Sequence, residues 1–155
     1  MSEKKIMNTN EVAIVGGAGF VGSRLTARLR KGKISSNKYD IDLSNHLDKS
    51  IFLDVEDADS LDILAGVSTI INLAAVHRDD VRPLSRYDDV NVQGAKNVCD
   101  AACKHGINKI IFTSSVAIYG FAPADTDESG GCNYFNDYGR TKYLAEQVYK
   151  AWQLE

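Results

Sequence analysis

No apolar run in the 155 residues approaches the length needed to cross a membrane, and the polar opening stretch, residues 1–10, has no signal-peptide core. These absences predict a soluble, cytoplasmic protein. A paired cysteine framework is missing too. The three cysteines, Cys99, Cys103 and Cys132, are an odd number, which fits a reducing compartment. Cys99 and Cys103 fall four apart on a predicted helix with no second pair at ligand spacing, so packing is expected there and no metal. Positive charge is not in excess either. With 18 Lys and Arg against 21 Asp and Glu, the net charge is −3 and leaves no electrostatic footprint for DNA or RNA. Internal repeats and low-complexity segments are absent.

What is present fits one globular domain: 44% of residues are hydrophobic, and a chain of this length buries roughly two-thirds of its unfolded surface on folding. A polar tail is expected over residues 1–10 and one folded unit over 11–155. Near its start, Val-Ala-Ile-Val-Gly-Gly-Ala-Gly-Phe-Val-Gly occupies residues 12–22. Four apolar residues run into glycines at 16, 19 and 22, and an amphipathic segment follows to about residue 31. The order is strand, turn, helix start. A helix N-terminus has unpaired N–H groups and partial positive charge, and glycines let a pyrophosphate approach that backbone. The spacing is Gly-x-x-Gly-x-x-Gly, a departure from the general dinucleotide fingerprint Gly-x-Gly-x-x-Gly.

The rest alternates strand and helix. A second strand is expected over residues 39–43, ending in an acid; Asp42 lies 20 residues past Gly22 (42 − 22), the distance at which a carboxylate meets the adenosine ribose, and Asp40 competes for that place. An acid there repels a 2′-phosphate and favours NAD over NADP. A third strand is expected over 50–55, a helix over 57–65 and a buried strand over 69–75. Residues 76–87 read as a charged loop, with His77 an ordinary solvated member and His46 a loop residue. A helix over 88–105 closes on Gly106, a fifth strand covers 107–114, and a last helix runs from about 138 into 152. The pattern predicts an α/β fold: a Rossmann-like, doubly wound parallel sheet in strand order 3-2-1-4-5.

Tyr138-Gly-Arg-Thr-Lys142 carries the chemistry. Residues four apart share a helix face, so phenol and ammonium lie side by side. A tyrosine working as a base near neutral pH needs its pKa lowered by about 3 units, and a neighbouring Lys⁺ supplies part of that shift. Ser114 and Ser115 stand at the C-terminal end of a central strand, the edge where such sheets bind ligands.

With these motifs in this order, residues 11–146 resemble the extended short-chain dehydrogenase/reductase family, in particular its nucleotide-sugar epimerase/dehydratase branch. By that resemblance, Gly16, Gly19 and Gly22 with Phe20 and Val21 take the pyrophosphate of NAD, Asp42 the ribose, and Asp54 and Val55 the adenine. Leu73, Ala74 and Ala75 line the cofactor cleft, and Asn91 of Asn-Val-Gln-Gly makes polar contacts near it. Tyr138 is the implied acid/base, Lys142 holds the nicotinamide ribose, and Ser115 bonds the reacting oxygen. Family dehydratases place Asp-Glu after that serine and 3,5-epimerases a Cys; Val116 and Ala117 stand here and transfer no proton.

The resemblance therefore implies a nucleotide-sugar 4-epimerase with a UDP-linked substrate. A sugar-nucleotide reductase or dehydrogenase, and a dinucleotide-binding module without turnover, remain open. It also implies an incomplete domain that stops before the substrate-binding part and has little or no activity alone. The fifth strand is then an edge, and a homo-oligomer is expected, formed by that strand or by the helices around Asn97 and Val148.

Overall fold

A computed structural model describes residues 11–44 and 49–154. The tail expected over 1–10, and His46, lie outside the described residues. Strand β1 (Val12–Val15) leads through the glycine turn into α1 (Phe20–Lys31), followed by β2 (Ser36–Asp40), β3 (Ile51–Phe52), a 3-10 helix (Ala58–Leu64) and β4 (Thr69–Asn72). A single turn α2 (Ser85–Tyr87) precedes a π-helical segment (Asp88–Gln93) and α3 (Gly94–His105). Then come β5 (Ile110–Phe112), a 3-10 turn (Val116–Ile118) and α4 (Asp137–Gln153). The five strands are parallel and ordered β3-β2-β1-β4-β5, the topology expected from the sequence.

Alternation along the strands builds two faces. Ala13, Val15 and Ile70 enter a core with Leu61, Leu64, Val98 and Ala102, so the 3-10 helix and α3 cover that side. Ile14, fully buried, points to the other face, while Ile111, in register with Ile71 at the β5 edge, is exposed. Ile110 and Phe112 are only partly exposed, the latter packed on Tyr149 of α4.

Several elements differ from expectation. β2 lies three residues earlier, ending at Asp40 rather than residue 43. The helix over 57–65 is 3-10, because Asp57 and Ser60 accept from the N–H groups of Asp59 and Asp54 and compete with the α-helical ladder. The helix over 88–105 begins as a π-helical turn, which directs Asn91 inward. Gly106 caps α3 in the left-handed region, as the pattern predicted. Asn97 is buried and donates 2.8 Å to the Val55 carbonyl. No helix among the described residues is long and apolar enough to cross a membrane.

Candidate active site

A cleft of about 650 Å³ opens along the C-terminal ends of the strands. Its first end is made mainly of backbone. Gly16 has φ +75°, and a Cβ there would lie 2.5 Å from the Ala74 nitrogen, so only glycine lets the β1 turn pass beside the end of β4. Gly19 is the N-cap of α1, where a Cβ would meet the Gly16 carbonyl oxygen at 3.5 Å, an ordinary contact, and the first turn of α1 has neither a side-chain cap nor an acid. Its N-terminus, through Gly19, Phe20 and Val21, therefore faces the cleft with N–H groups available to an anion. Arg24 lies 3.5 Å over the exposed Phe20 ring.

Asp40, at the end of β2, accepts 2.8 Å from the Ala18 N–H and 2.9 Å from the Asp42 N–H, tying the glycine turn to the neighbouring strand. Asp42 also lines the cleft, but from the loop past β2, exposed; the Ser44 side chain and N–H hold its carboxyl below the usual range. Both acids therefore border the cleft, Asp40 from the end of β2 and Asp42 from the loop beyond it. Beyond them Asp54 and Val55 line the cleft with Glu56, whose carboxylate pairs at 2.5 Å with Arg86. Its Arg86 comes from the loop expected to be merely solvated, and no periodicity announced the pair.

The second end is made of side chains. Thr113 and Ser114 from the end of β5 meet Tyr138 and Lys142 from the first turns of α4. Asn136 caps α4, accepting 2.8 Å from the Gly139 N–H. A Cβ on Gly139 would lie 2.5 Å from the Ala117 carbonyl, so a glycine is needed for α4 to seat on the 3-10 turn. Lys142 is 2% exposed. Its ammonium sits 4.0 Å from the Phe112 ring centroid and has no hydrogen-bond partner among the described residues. Burial pushes it down to about 8, opposed by the Glu146 charge. Behind it the Tyr149 ring packs tilted at 37° against Phe112, centroids 4.6 Å apart, and its hydroxyl accepts 2.7 Å from Asn72, whose own oxygen accepts from the Ala74 N–H. Burial raises the Tyr149 hydroxyl.

Of the expected site residues, Gly16, Gly19, Phe20, Val21, Gly22, Asp42, Asp54, Val55, Leu73, Ala74, Ala75, Tyr138 and Lys142 line this one cleft. Asn91 and Ser115 do not. Asn91 is buried beneath it: its oxygen accepts from the Val76 N–H at 2.8 Å, and its nitrogen donates to the Val76 carbonyl and to Thr141, each at 2.9 Å. Ser115 caps the 3-10 turn by accepting 3.1 Å from the Ala117 N–H, which leaves its own O–H free to donate. His77 lines the mouth and is exposed. Cys99 is buried, while Cys103 accepts from Trp152 at 3.2 Å; among the described residues no three potential metal ligands gather.

Against known proteins, the model of the NAD dependent epimerase/dehydratase family matches residues 12–155. An Escherichia coli O157:H7 protein named N-acetyl-alpha-D-glucosaminyl-diphospho-ditrans,octacis-undecaprenol 4-epimerase is 45% identical over 94% of this chain and 44% of its own length. The UDP-glucose 4-epimerase of Rhizobium meliloti (strain 1021) is 32% identical over 96% of this chain and 48% of its own. The chain thus spans about half the length of these relatives. Among solved structures, UDP-glucose 4-epimerase from Brucella ovis in complex with NAD superposes with a TM-score of 0.85 at 28% identity, covering 94% of this chain and 48% of that one.

Proposed function

Because the chain belongs to the NAD-dependent epimerase/dehydratase family, we propose that residues 11–155 are the NAD-binding part of a sugar 4-epimerase, acting on a sugar carried by a diphosphate, UDP-linked in the first reading. One observation carries this: a glycine-lined helix N-terminus, the Asp40 carboxylate and the Tyr138/Lys142 pair border one cleft. The fit to a dinucleotide rests on the glycine turn and on the α1 N-terminus, which has no side-chain cap and no acid, for a pyrophosphate. Asp40, with Asp42 as the alternative, takes the adenosine ribose; Asp54 and Val55 take the adenine.

When bound, NAD supplies a reversible hydride acceptor. Tyr138 removes the proton of the sugar C4 hydroxyl as that carbon is oxidised, and returns it when the carbon is reduced on its other face. Lys142 holds the nicotinamide ribose and stabilises the phenolate by its charge. The free O–H of Ser115 bonds the reacting oxygen, and Val116, largely exposed, offers no acid for water loss. The reading is tested by adding UDP-N-acetylglucosamine or UDP-glucose to the NAD-loaded chain and following reduced nicotinamide by fluorescence. Little or no reduction is expected of this chain alone; reduction that slows about 100-fold or more in Tyr138→Phe supports the catalytic roles, and a chain that binds NAD without reduction acts as a dinucleotide-binding module.

One observation favours a second carrier. Phe121 and Phe135, 82% and 61% exposed, stack at 4.7 Å in the segment joining the Ser114 end of β5 to α4, and the relative at 45% identity is named for an undecaprenyl diphosphate-linked sugar. If the lipid-linked sugar reduces the cofactor and the UDP-sugar does not, the second reading replaces the first. Self-association is proposed at the β5 edge, where Ile111 is exposed; sedimentation at micromolar concentration giving only monomer removes it.

A further inference from the structure

We propose that Asp88 and Arg140, neither of which lines the cleft, form a clamp that sets the rotation of α4 and so aims Tyr138 and Lys142. The inference rests on the reading that those two residues meet the nicotinamide end of NAD. At 100° per residue, the first turns of α4 present four directions. Tyr138 and Lys142 lie about 40° apart and face the cleft, and each of the three residues between them is engaged elsewhere. Gly139 abuts the Ala117 carbonyl with no room for a Cβ. Arg140 donates through Nη1 and Nη2 to the two Asp88 oxygens at 2.9 and 2.6 Å, and through Nε to Asp137 at 3.0 Å. Thr141, fully buried, accepts 2.9 Å from Asn91, three residues on from Asp88 in the same π-helical segment.

The planar fork is the part of this set that resists rotation, because both of its bonds lengthen together when the helix turns. A 20° turn of α4 carries a side-chain end, about 6 Å from the axis, by about 2 Å, and a displacement of about 1 Å is enough to disable a reacting pair. The pair is partly solvated, with side chains 30% and 46% exposed, so its contribution to stability is small while its geometric role is not. The guanidinium holds the Asp88 carboxyl below the usual range, consistent with a persistent pair.

The test is calorimetric titration of the intact chain with NAD and, separately, with ADP, which lacks the nicotinamide ribose. Wild type is compared with Asp88→Asn, Arg140→Met and Arg140→Lys. The clamp predicts that Asp88→Asn and Arg140→Met lose about tenfold in NAD affinity with ADP affinity within about twofold and the melting temperature within about 3 °C. Arg140→Lys, which keeps the charge and loses the fork, falls between. Equal losses for NAD and ADP, or no loss for NAD, overturn the clamp. Wild type binding neither ligand overturns the reading of the cleft, and the clamp with it.

Discussion

The two ends of the cleft are built differently. At the end proposed for adenine and pyrophosphate the surface is mainly backbone: the β1 turn, the α1 N-terminus and the ends of β2 and β4, fixed by the sheet's own hydrogen bonds. At the end proposed for nicotinamide the surface is side chains on α4 and just past β5. Their places depend on the Asn136 cap of α4 and on Asn91, Thr141, Asp88, Arg140, Tyr149 and Asn72 bonding across elements. The first end needs the right backbone path, while the second also needs many side chains to be right together. Polar groups there are buried at a cost, Lys142 above all.

Damage to the first end has the largest effect. Gly16→Val puts a branched side chain at φ +75° against the Ala74 backbone, and it is expected to remove binding of both NAD and ADP and to cost about 3 kcal/mol or more of stability. Denaturant unfolding and calorimetry read both. If Gly16→Val still binds ADP, the backbone account of that end is broken.

Lys142→Met sharpens the contrast in the opposite sense. Removing a buried cation should weaken NAD at least tenfold while leaving ADP bound, yet stabilise the free chain at neutral pH by about 2 kcal/mol. The pH dependence has a definite sign. The folded pKa, about 8, lies below the unfolded value near 10.4, so the unfolded chain binds more protons between them. Wild-type stability therefore gains about 3 kcal/mol relative to Lys142→Met as pH rises from about 8 to about 10.4. A constant difference between the two proteins across that window would contradict it.

Smaller effects divide the two acids. Asp40→Asn should weaken ADP-ribose about tenfold and Asp42→Asn less than twofold, since only Asp40 bonds the glycine turn. The reverse ranking would return the ribose to the acid past the strand. Smallest is Asn136→Ala, which removes the α4 cap and should cost about 1 kcal/mol in denaturant unfolding with ADP affinity unchanged.

The same contrast explains how much was legible in the sequence. Strand order and the glycine turn follow from apolar runs and three glycines, and Tyr138 and Lys142 from helical spacing. The position of β2 was obscured because residues 36–38, Ser-Asn-Lys, pair with β1 although they carry no strand-like apolar pattern, placing the strand three residues earlier than expected. The π-helical turn at Asp88–Gln93, the inward Asn91, and the Arg86 and Arg140 pairs arise from contacts across 15 to 52 residues of sequence, which no local period encodes.

The most direct test of the account is a calorimetric titration of the wild-type chain with NAD. One NAD per chain is predicted, with binding lost in Gly16→Val and weakened in Lys142→Met. An absence of binding at millimolar NAD would contradict the assignment of this cleft.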